Sequence, residues 1–521
     1  MAVVTAERPA TRPAGENERP FPPGDYPVIV IGSGPGGLQI SRALGELGIE
    51  HAVLSRDPSA GGMFRRFPFF QRLLSWTKPY APVAREEREY ERYDWNSLIS
   101  EDERYRAIAP GVMDGTSYFP SRPEMERNLA LFAERAGVRV RYDCEWLSTR
   151  LEGGVGSGTR FALETSDGDY HCRFPIFAIG VAEPWRPETP GIELATHYAD
   201  TRPAPTYADR EVFIIGKENS AFELATGFLQ WAKRIVLASP SPTKLSITSN
   251  SLVGVRARYV QPYEDNVLGG GVLVLNASIQ SVERLGERFR VRVRRSNTNE
   301  EQIYDVDDVI AATGWVPPLR DLPRHGLVTF GRNKLPALTP FWESASLRGV
   351  FFGGTVTQAA GGLKKNGIPA NSGGVNGHRY NGRVLARHVA RTHFGVALPR
   401  PELRADDVVP FLLRELDHSP ELWHQRSYLC RVVTVSGEEG IRDEGIWPLS
   451  NFVDSAGPDA IAATIEANAQ GENYPAIYLR QAGRVTEHLL EADQRMRYDT
   501  ADRRSALATI LRELVGSEAA A

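Results

Sequence analysis

The chain has 521 residues, too many for one hydrophobic core, so two or three domains are expected. Hydrophobic residues at 41% and charged residues at 24% are the balance of a soluble globular protein, and a net charge of −4 without a basic block excludes nucleic acid and anionic membrane as default partners. Cys144, Cys172 and Cys430 lie far apart in sequence with no C-x-x-C, which suggests neither a thiol redox pair nor a cysteine zinc site and reads each thiol as a small buried hydrophobe.

Residues 1–24 are rich in Ala, Arg, Pro and Glu and have no apolar core. They read as a disordered leader rather than a signal peptide. No apolar run approaches the roughly 18–20 residues of a membrane span. A cytoplasmic protein is expected.

The stretch "YPVIVIGSGPGGLQISRALGELGIEHAVLSRD" begins at Tyr26. It predicts a buried strand, a turn with Gly32, Gly34 and Gly37, a helix, and a second strand at His51–Leu54. In this context Gly32 permits the tight turn, Gly34 lets backbone approach a pyrophosphate, and Gly37 permits close packing of helix on strand. The helix N-terminus offers free N–H groups to an anion. The acidic residue expected at the end of the second strand is replaced by Ser55 and Arg56.

A second unit follows at "FIIGKENSAFELA", from Phe213. Gly32 and Gly216 are 184 positions apart, and the same shift carries Val28 to Val212 and Ser55 to Ser239. Two βαβ units with one internal spacing predict two dinucleotide folds. In the second, Glu218 and Ala221 replace two glycines, while Asn219 and Ser220 remain as phosphate donors. A carboxylate at Glu218 repels a pyrophosphate unless it turns away or is paired. The reading is a handicapped nicotinamide site or a retained fold with an altered ligand. Ser239, Ser241 and Lys244 form either a cradle for a 2′-phosphate or a solvated loop. Past a "LPRPEL" linker, residues 396–521 predict helices with some strand, ending in an amphipathic helix at "ALATILREL".

The segments "GGMFRRFP", "LLSWTKPY", "YDWNSLIS", "YFPSRPEMERNL" and "VIAATGWVPPL" together resemble the flavin-containing monooxygenase-like flavoproteins with two dinucleotide folds, most of all a branch with members in the endoplasmic reticulum and in bacteria. The resemblance runs from about residue 25 into the C-terminal region. It implies an α/β protein of two Rossmann-like domains, with an NADPH domain (191–305) inserted in an FAD domain (25–190 and 306–395), plus a C-terminal α+β region (396–521). It implies that Gly32, Ser33, Gly34, Pro35, Gly36 and Gly37 hold the FAD pyrophosphate, that Gly62, Met63 and Phe64 lie along the flavin, and that Trp76 and Trp146 lie beside the cofactor, the latter at the adenine. Gly354 and Thr355 close the last FAD strand. Gly374 and Val375 open a helix aimed at the flavin's pyrimidine edge. Thr313 and Gly314 belong to the linker returning from the second domain.

The implied function is an NADPH- and FAD-dependent monooxygenase, in which a flavin C4a-hydroperoxide oxygenates a small molecule at nitrogen or sulfur, in the manner of an N-hydroxylase of bacterial specialised metabolism. The partners are then a small substrate and O2, with room for a homo-oligomer. Thr77 stands beside the flavin's reactive face, where relatives often carry Asn. Lys78 and Arg65 can meet an acidic substrate or solvent. His378 in "GHRYNG" serves the site or packs the helix. The stretch "LKKNGIPANSGGVNGHRYNG" is longer than the family pattern. A flavin oxidase or reductase without an oxygenated product, and a non-catalytic flavoprotein binding a partner through residues 396–521, are the alternatives.

Overall fold

The computed structural model describes residues 19–69, 72–153, 160–246, 254–264, 269, 271–360, 370–468 and 470–515. Residues 1–18 of the expected leader, and 363–369 of the long stretch before the last nucleotide-fold helix, lie outside them.

The first sheet is built on Asp25–Ile31, which runs parallel to His51–Leu54 on one side and to Gly168–Phe177 on the other. Val28, Ile29 and Val30 are fully buried, as a strand covered on both faces requires. Phe351–Phe352 adds in parallel to Gly168–Phe177. Arg160–Thr165 and Trp146–Glu152 extend the sheet as an antiparallel meander. Two helices cover the parallel part. Pro35–Glu46 begins with proline in its first turn, where no N–H is lost. Val375–Phe394 packs against it closely enough that a Cβ on Gly382 would stand 3.1 Å from Ile40 Cγ1.

The second sheet repeats the plan. Val272–Leu285, Arg234–Ser239, Glu211–Ile215, Asp308–Ala311 and Thr196–His197 are parallel neighbours in that order, with the meander of Arg288–Arg295 and Glu301–Val306 beyond the first of these. The chain leaves the first sheet through Glu183–Pro184 and returns through Trp315–Val316, which pair antiparallel. The second fold is therefore an insertion in the first.

Residues beyond 396 hold more strand than expected. Six strands form one antiparallel sheet in the order 402–403, 440–448, 429–436, 460–467, 473–481, 484–489. The central strand, Ala460–Ala467, is buried at every position, so its sequence lacks the alternation that marks a half-exposed strand. Helices Ala405–His418 and Ala501–Val515 cover one face, with Leu412, Leu416, Leu507 and Leu511 against Ile461 and Ile465. Among the described residues no helix is long and apolar enough to cross a membrane.

Candidate active site

Six glycines, Gly32, Gly34, Gly36, Gly37, Gly62 and Gly354, meet backbone to backbone at the first turn. Gly32 has φ +117°, and a Cβ there would lie 2.4 Å from the carbonyl oxygen of Ala178. A Cβ on Gly36 would lie 2.5 Å from Gly354 Cα, and one on Gly62 would lie 3.0 Å from Gly34 Cα. A Cβ on Gly37 would come within 1.9 Å of the Gly32 oxygen. Three segments far apart in sequence thus share one wall without side chains, which is what close approach of a pyrophosphate requires. The helix Pro35–Glu46 starts from Gly34 with no side-chain cap. Val375–Phe394 starts from Gly374 with none either. Both leave helix N-terminal N–H groups to a ligand. Residues and geometry fit FAD.

The surrounding side chains divide into committed and uncommitted. Ser33 and Ser55 are buried and their hydroxyls lie 2.7 Å apart, so Ser55 ties the second strand to the turn. Arg56 is exposed. Met63 and Phe64 lie half-buried in the short 3-10 turn Gly62–Arg65. Thr355 lies in another, Gly354–Thr357. Trp76 is half-buried with its ring 5.2 Å from that of Trp95. Thr77 is fully buried; its hydroxyl donates to Asp94 at 2.8 Å and accepts from Asn96 Nδ2 at 3.0 Å. Lys78 is exposed. Trp146 is buried in the meander, its indole N–H directed to Ser148 O at 2.9 Å and its ring against Phe177. His378 is buried within the helix Val375–Phe394 with its ring near the backbone of Ser372, and among the described residues neither ring nitrogen makes a hydrogen bond of good geometry. Burial pushes its pKa down to about 4, so the imidazole is neutral.

At the second turn Gly216 has φ +134°, and Glu218 precedes the helix Asn219–Phe228 without capping it. Asn219 uses its amide on the neighbouring loop: Nδ2 donates to Gly254 O at 2.9 Å, and Oδ1 accepts from Arg256 N at 3.1 Å. Ser220 is half-buried in the first turn of the helix. Ser239 ends its strand half-buried, and Lys244 is exposed. Glu218 is exposed on the surface of the turn, and the partial desolvation of its carboxyl raises its pKa against the pull of Lys244, Arg332 and Lys217. Lys217 is buried, donates through Nζ to Asn276 Oδ1, and is pushed down to about 8 by burial. Thr313 bonds through its hydroxyl to Trp185 O, and Gly314 O accepts from His197 Nε2 at 3.2 Å; together they staple the two crossing segments.

Sequence reasoning missed several residues that the fold brings here. Arg332 reaches the second turn from a distant hairpin and carries no local signal. Asp94 and Trp95 lie in "YDWN", quoted above as a motif but without roles. Asn376 follows Val375 directly. His424 comes from the region beyond residue 396. Among the described residues no group of three or more His, Cys, Asp or Glu is placed to hold a metal.

Comparison with known proteins places this geometry. The model of the family described as pyridine nucleotide-disulphide oxidoreductase matches residues 29–354. The mouse FAD-dependent oxidoreductase domain-containing protein 2 is 26% identical over 442 residues, 78% of this chain and 64% of its own length. The chain thus spans less than two thirds of that curated relative. The bacillithiol disulfide reductase of Staphylococcus aureus superposes with TM-score 0.53 at 16% identity, over 71% of this chain and 99% of that one. The ornithine N-hydroxylase of Kutzneria sp. 744, solved with reduced FAD, NADP+ and L-ornithine, gives 0.52 at 17% identity, over 70% and 99%. At such identities the two structures establish the fold alone. The family match covers more than half of the sequence, both glycine turns included, and the chain belongs to the pyridine nucleotide-disulphide oxidoreductase family, a family of flavin-dependent oxidoreductases.

Proposed function

We propose that the protein is an FAD- and NADPH-dependent monooxygenase of the cytoplasm that oxygenates a small molecule at nitrogen or sulfur. The FAD domain comprises residues 25–190 and 306–395, the NADPH domain 191–305, and the C-terminal region 396–521. Bound FAD would supply electron transfer from the nicotinamide and the activation of O2. The turn Gly32–Gly37 receives the pyrophosphate, with Gly62 and Gly354 keeping its wall bare. Met63, Phe64 and Trp76 exclude water from the ring. The N-terminus of Val375–Phe394 stabilises negative charge on the reduced ring. Ser220, Lys244 and the backbone after Gly216 receive NADPH. Lys78 is exposed and open to an acidic substrate, whereas Arg65 is half-buried and lies 3.7 Å from the Glu126 carboxylate.

The observation that carries this reading is the state of the thiols. Cys144, Cys172 and Cys430 are free and buried, and burial raises the pKa of each. None is a nucleophile at neutral pH, and no pair exists to pass electrons on. Electrons from NADPH then leave through O2 or a small acceptor. The fold is common to the ornithine N-hydroxylase and to the bacillithiol disulfide reductase, and it is the buried single thiols that favour the oxygenating route of the two. A flavin oxidase or reductase is the second reading, favoured by Glu218 and by the commitment of the Thr77 hydroxyl to Asp94 and Asn96. The test is NADPH-driven O2 uptake with a panel of amines and thioethers. An oxygenated product matching NADPH consumed supports the proposal. Hydrogen peroxide alone, in equal amount, replaces it with the oxidase.

A further inference from the structure

A hairpin of the first fold, Thr329–Phe330 paired with Leu335–Pro336, reaches the glycine turn of the second. Its root is fixed in the first fold. Leu327 packs in the core of that sheet with Phe352, and Val328 N donates to Ser346 Oγ at 2.8 Å. Its tip is Gly331, Arg332, Asn333 and Lys334, with left-handed backbone at Gly331 (φ +71°) and Lys334 (φ +50°). Arg332 is exposed, and its guanidinium carbon lies over the Trp185 ring, 5.1 Å from the ring centre. Among the described residues it has no ion pair or hydrogen bond.

A chain of contacts carries this arginine to the second turn. Trp185 N donates to Gly314 O at 3.0 Å, and Trp185 O accepts from the Thr313 hydroxyl. Ala312, just before them, lines the turn itself: a Cβ on Gly216 would lie 2.5 Å from its carbonyl oxygen. Electrostatics gives the same placement. Arg332, Lys244 and Lys217 all act on the Glu218 carboxyl, yet among the described residues none closes an ion pair with it. Arg332 and Lys244 are exposed, as Glu218 is. Positive charge is therefore in excess, and open to solvent, beside the start of the helix Asn219–Phe228. A guanidinium held over an indole keeps its N–H donors free at its edges, where two of them match two phosphate oxygens. Bare glycine backbone would let a pyrophosphate approach this turn, but Glu218 stands in that place, so the charge that offsets it must come from outside the turn.

We propose that Arg332 binds the pyrophosphate of the nicotinamide cofactor from across the domain boundary, with Trp185 as the residue that positions it. This rests on the reading of the second fold as the nicotinamide site. The hairpin tip is then the outer wall of that site. The phosphates are held by both folds at once, by the backbone after Gly216 on one side and by Arg332 on the other. Lys244 serves the 2′-phosphate, which only NADPH carries. Arg332 serves the phosphates that NADH and NADPH share.

The experiment titrates NADP+ and NAD+ by calorimetry into the full-length protein, wild type and variants, with the FAD content of each sample measured. Arg332→Gln is expected to raise the Kd about fivefold for both nucleotides and to leave their ratio and the FAD content unchanged, the size expected of an exposed charge-assisted contact. The loss shrinks at high salt. Arg332→Lys keeps the charge without the planar pair of donors and recovers part of the affinity. Trp185→Leu frees the guanidinium and gives a rise no larger than that of Arg332→Gln, and the double variant adds nothing to it. Unchanged Kd for both nucleotides in Arg332→Gln overturns the proposal. A rise confined to NADP+ overturns the pyrophosphate assignment and moves Arg332 to the 2′-phosphate. Additive effects of the two changes overturn the positioning role of Trp185. Should Trp185→Leu not fold, Arg332→Gln and Arg332→Lys decide the matter. Wild-type protein that binds neither nucleotide is the separate failure of the nicotinamide reading.

Discussion

The two glycine turns are the same backbone with different side chains. Gly32 N donates to Leu54 O at 2.7 Å, and 184 positions later Gly216 N donates to Ala238 O at 2.8 Å. Ala178 N to Ile31 O at 2.8 Å is repeated by Ala312 N to Ile215 O at 2.9 Å. The first helical bonds, Leu38 N to Gly34 O and Phe222 N to Glu218 O, are both 3.1 Å. A Cβ on Gly32 would lie 2.4 Å from Ala178 O, and one on Gly216 would lie 2.5 Å from Ala312 O. At this position only glycine serves, and both copies keep it. At the next two positions the copies part. Gly34 becomes Glu218, and Gly37, whose Cβ would strike the Gly32 oxygen at 1.9 Å, becomes Ala221. The second helix must stand farther from its turn to house that methyl group. The fold depends on the first glycine; the other two answer to the ligand and to the closeness of the helix.

The largest effect should come from forcing the second arrangement on the first turn. Gly37→Ala places a methyl group in a backbone oxygen, and a loss on the order of 3 kcal/mol or more is expected. Ala221→Gly, the reverse change, should cost only about 1 kcal/mol through helix propensity. Denaturant unfolding of both apoproteins measures the contrast, and equal losses would show that the two helices sit alike. Gly34→Ala should behave differently. Gly34 has φ −73°, and its Cβ would meet Gly62 Cα at 3.9 Å, an ordinary contact. The apoprotein should keep its stability while its affinity for FAD falls about tenfold or more, because the methyl group takes the pyrophosphate's space. Full FAD occupancy in Gly34→Ala would remove the first turn from the cofactor site.

Much of this was legible because the strand–turn–helix unit is local. Hydrophobic runs, glycine spacing and the 184-residue shift reach the fold without long-range information. The strand at His51–Leu54 is visible for the same reason, whereas the helix at Val375 is reached through the family resemblance. What the sequence hid came from distant pairings. Ser33 with Ser55 is a contact across the turn, and in the second copy Lys217 turns instead to Asn276, which stands beside Ser239 in the sheet. Asn219 reads as a phosphate donor in one dimension, and its work on the loop at Gly254 and Arg256 appears only in three. Trp146, expected beside an adenine, spends its indole N–H on its own strand. The buried strand at Ala460–Ala467 has no alternation to read, and His424 lies more than 40 residues from the Asn376 it touches.

Glu218 gives the comparison its electrostatic form. Its raised pKa means that it charges at a higher pH than a free glutamate. As pH rises through that pKa the carboxylate appears and opposes nucleotide phosphates; below it the opposition fades. The apparent KM for the nicotinamide cofactor should therefore rise from acid toward neutral pH and then level. After screening, the repulsion is about 1 kcal/mol, or roughly fivefold. Glu218→Gln should flatten the profile at its low end. NADH is the better reporter, since the 2′-phosphate titrates in the same region. Parallel profiles for wild type and variant would place the carboxylate away from the phosphates.

The smallest expected effect concerns Lys244, whose positive charge is one of those that Glu218 feels. It is exposed, so a contact with a 2′-phosphate is discounted by solvent to about 1 kcal/mol. Lys244→Ala should lower the preference for NADPH over NADH about fivefold and leave NADH unaffected. In the wild type the carboxylate competes for the same ammonium group. In the Glu218→Gln background Lys244 is free to serve the phosphate alone, and its removal should cost about twofold more. A double-mutant cycle on kcat/KM with each nucleotide reads that coupling directly. Loss of the same factor in both backgrounds would mean that Lys244 and Glu218 act on different parts of the nucleotide. A preference for NADPH that survives both changes would move its recognition to Arg332, another of the cations that act on Glu218.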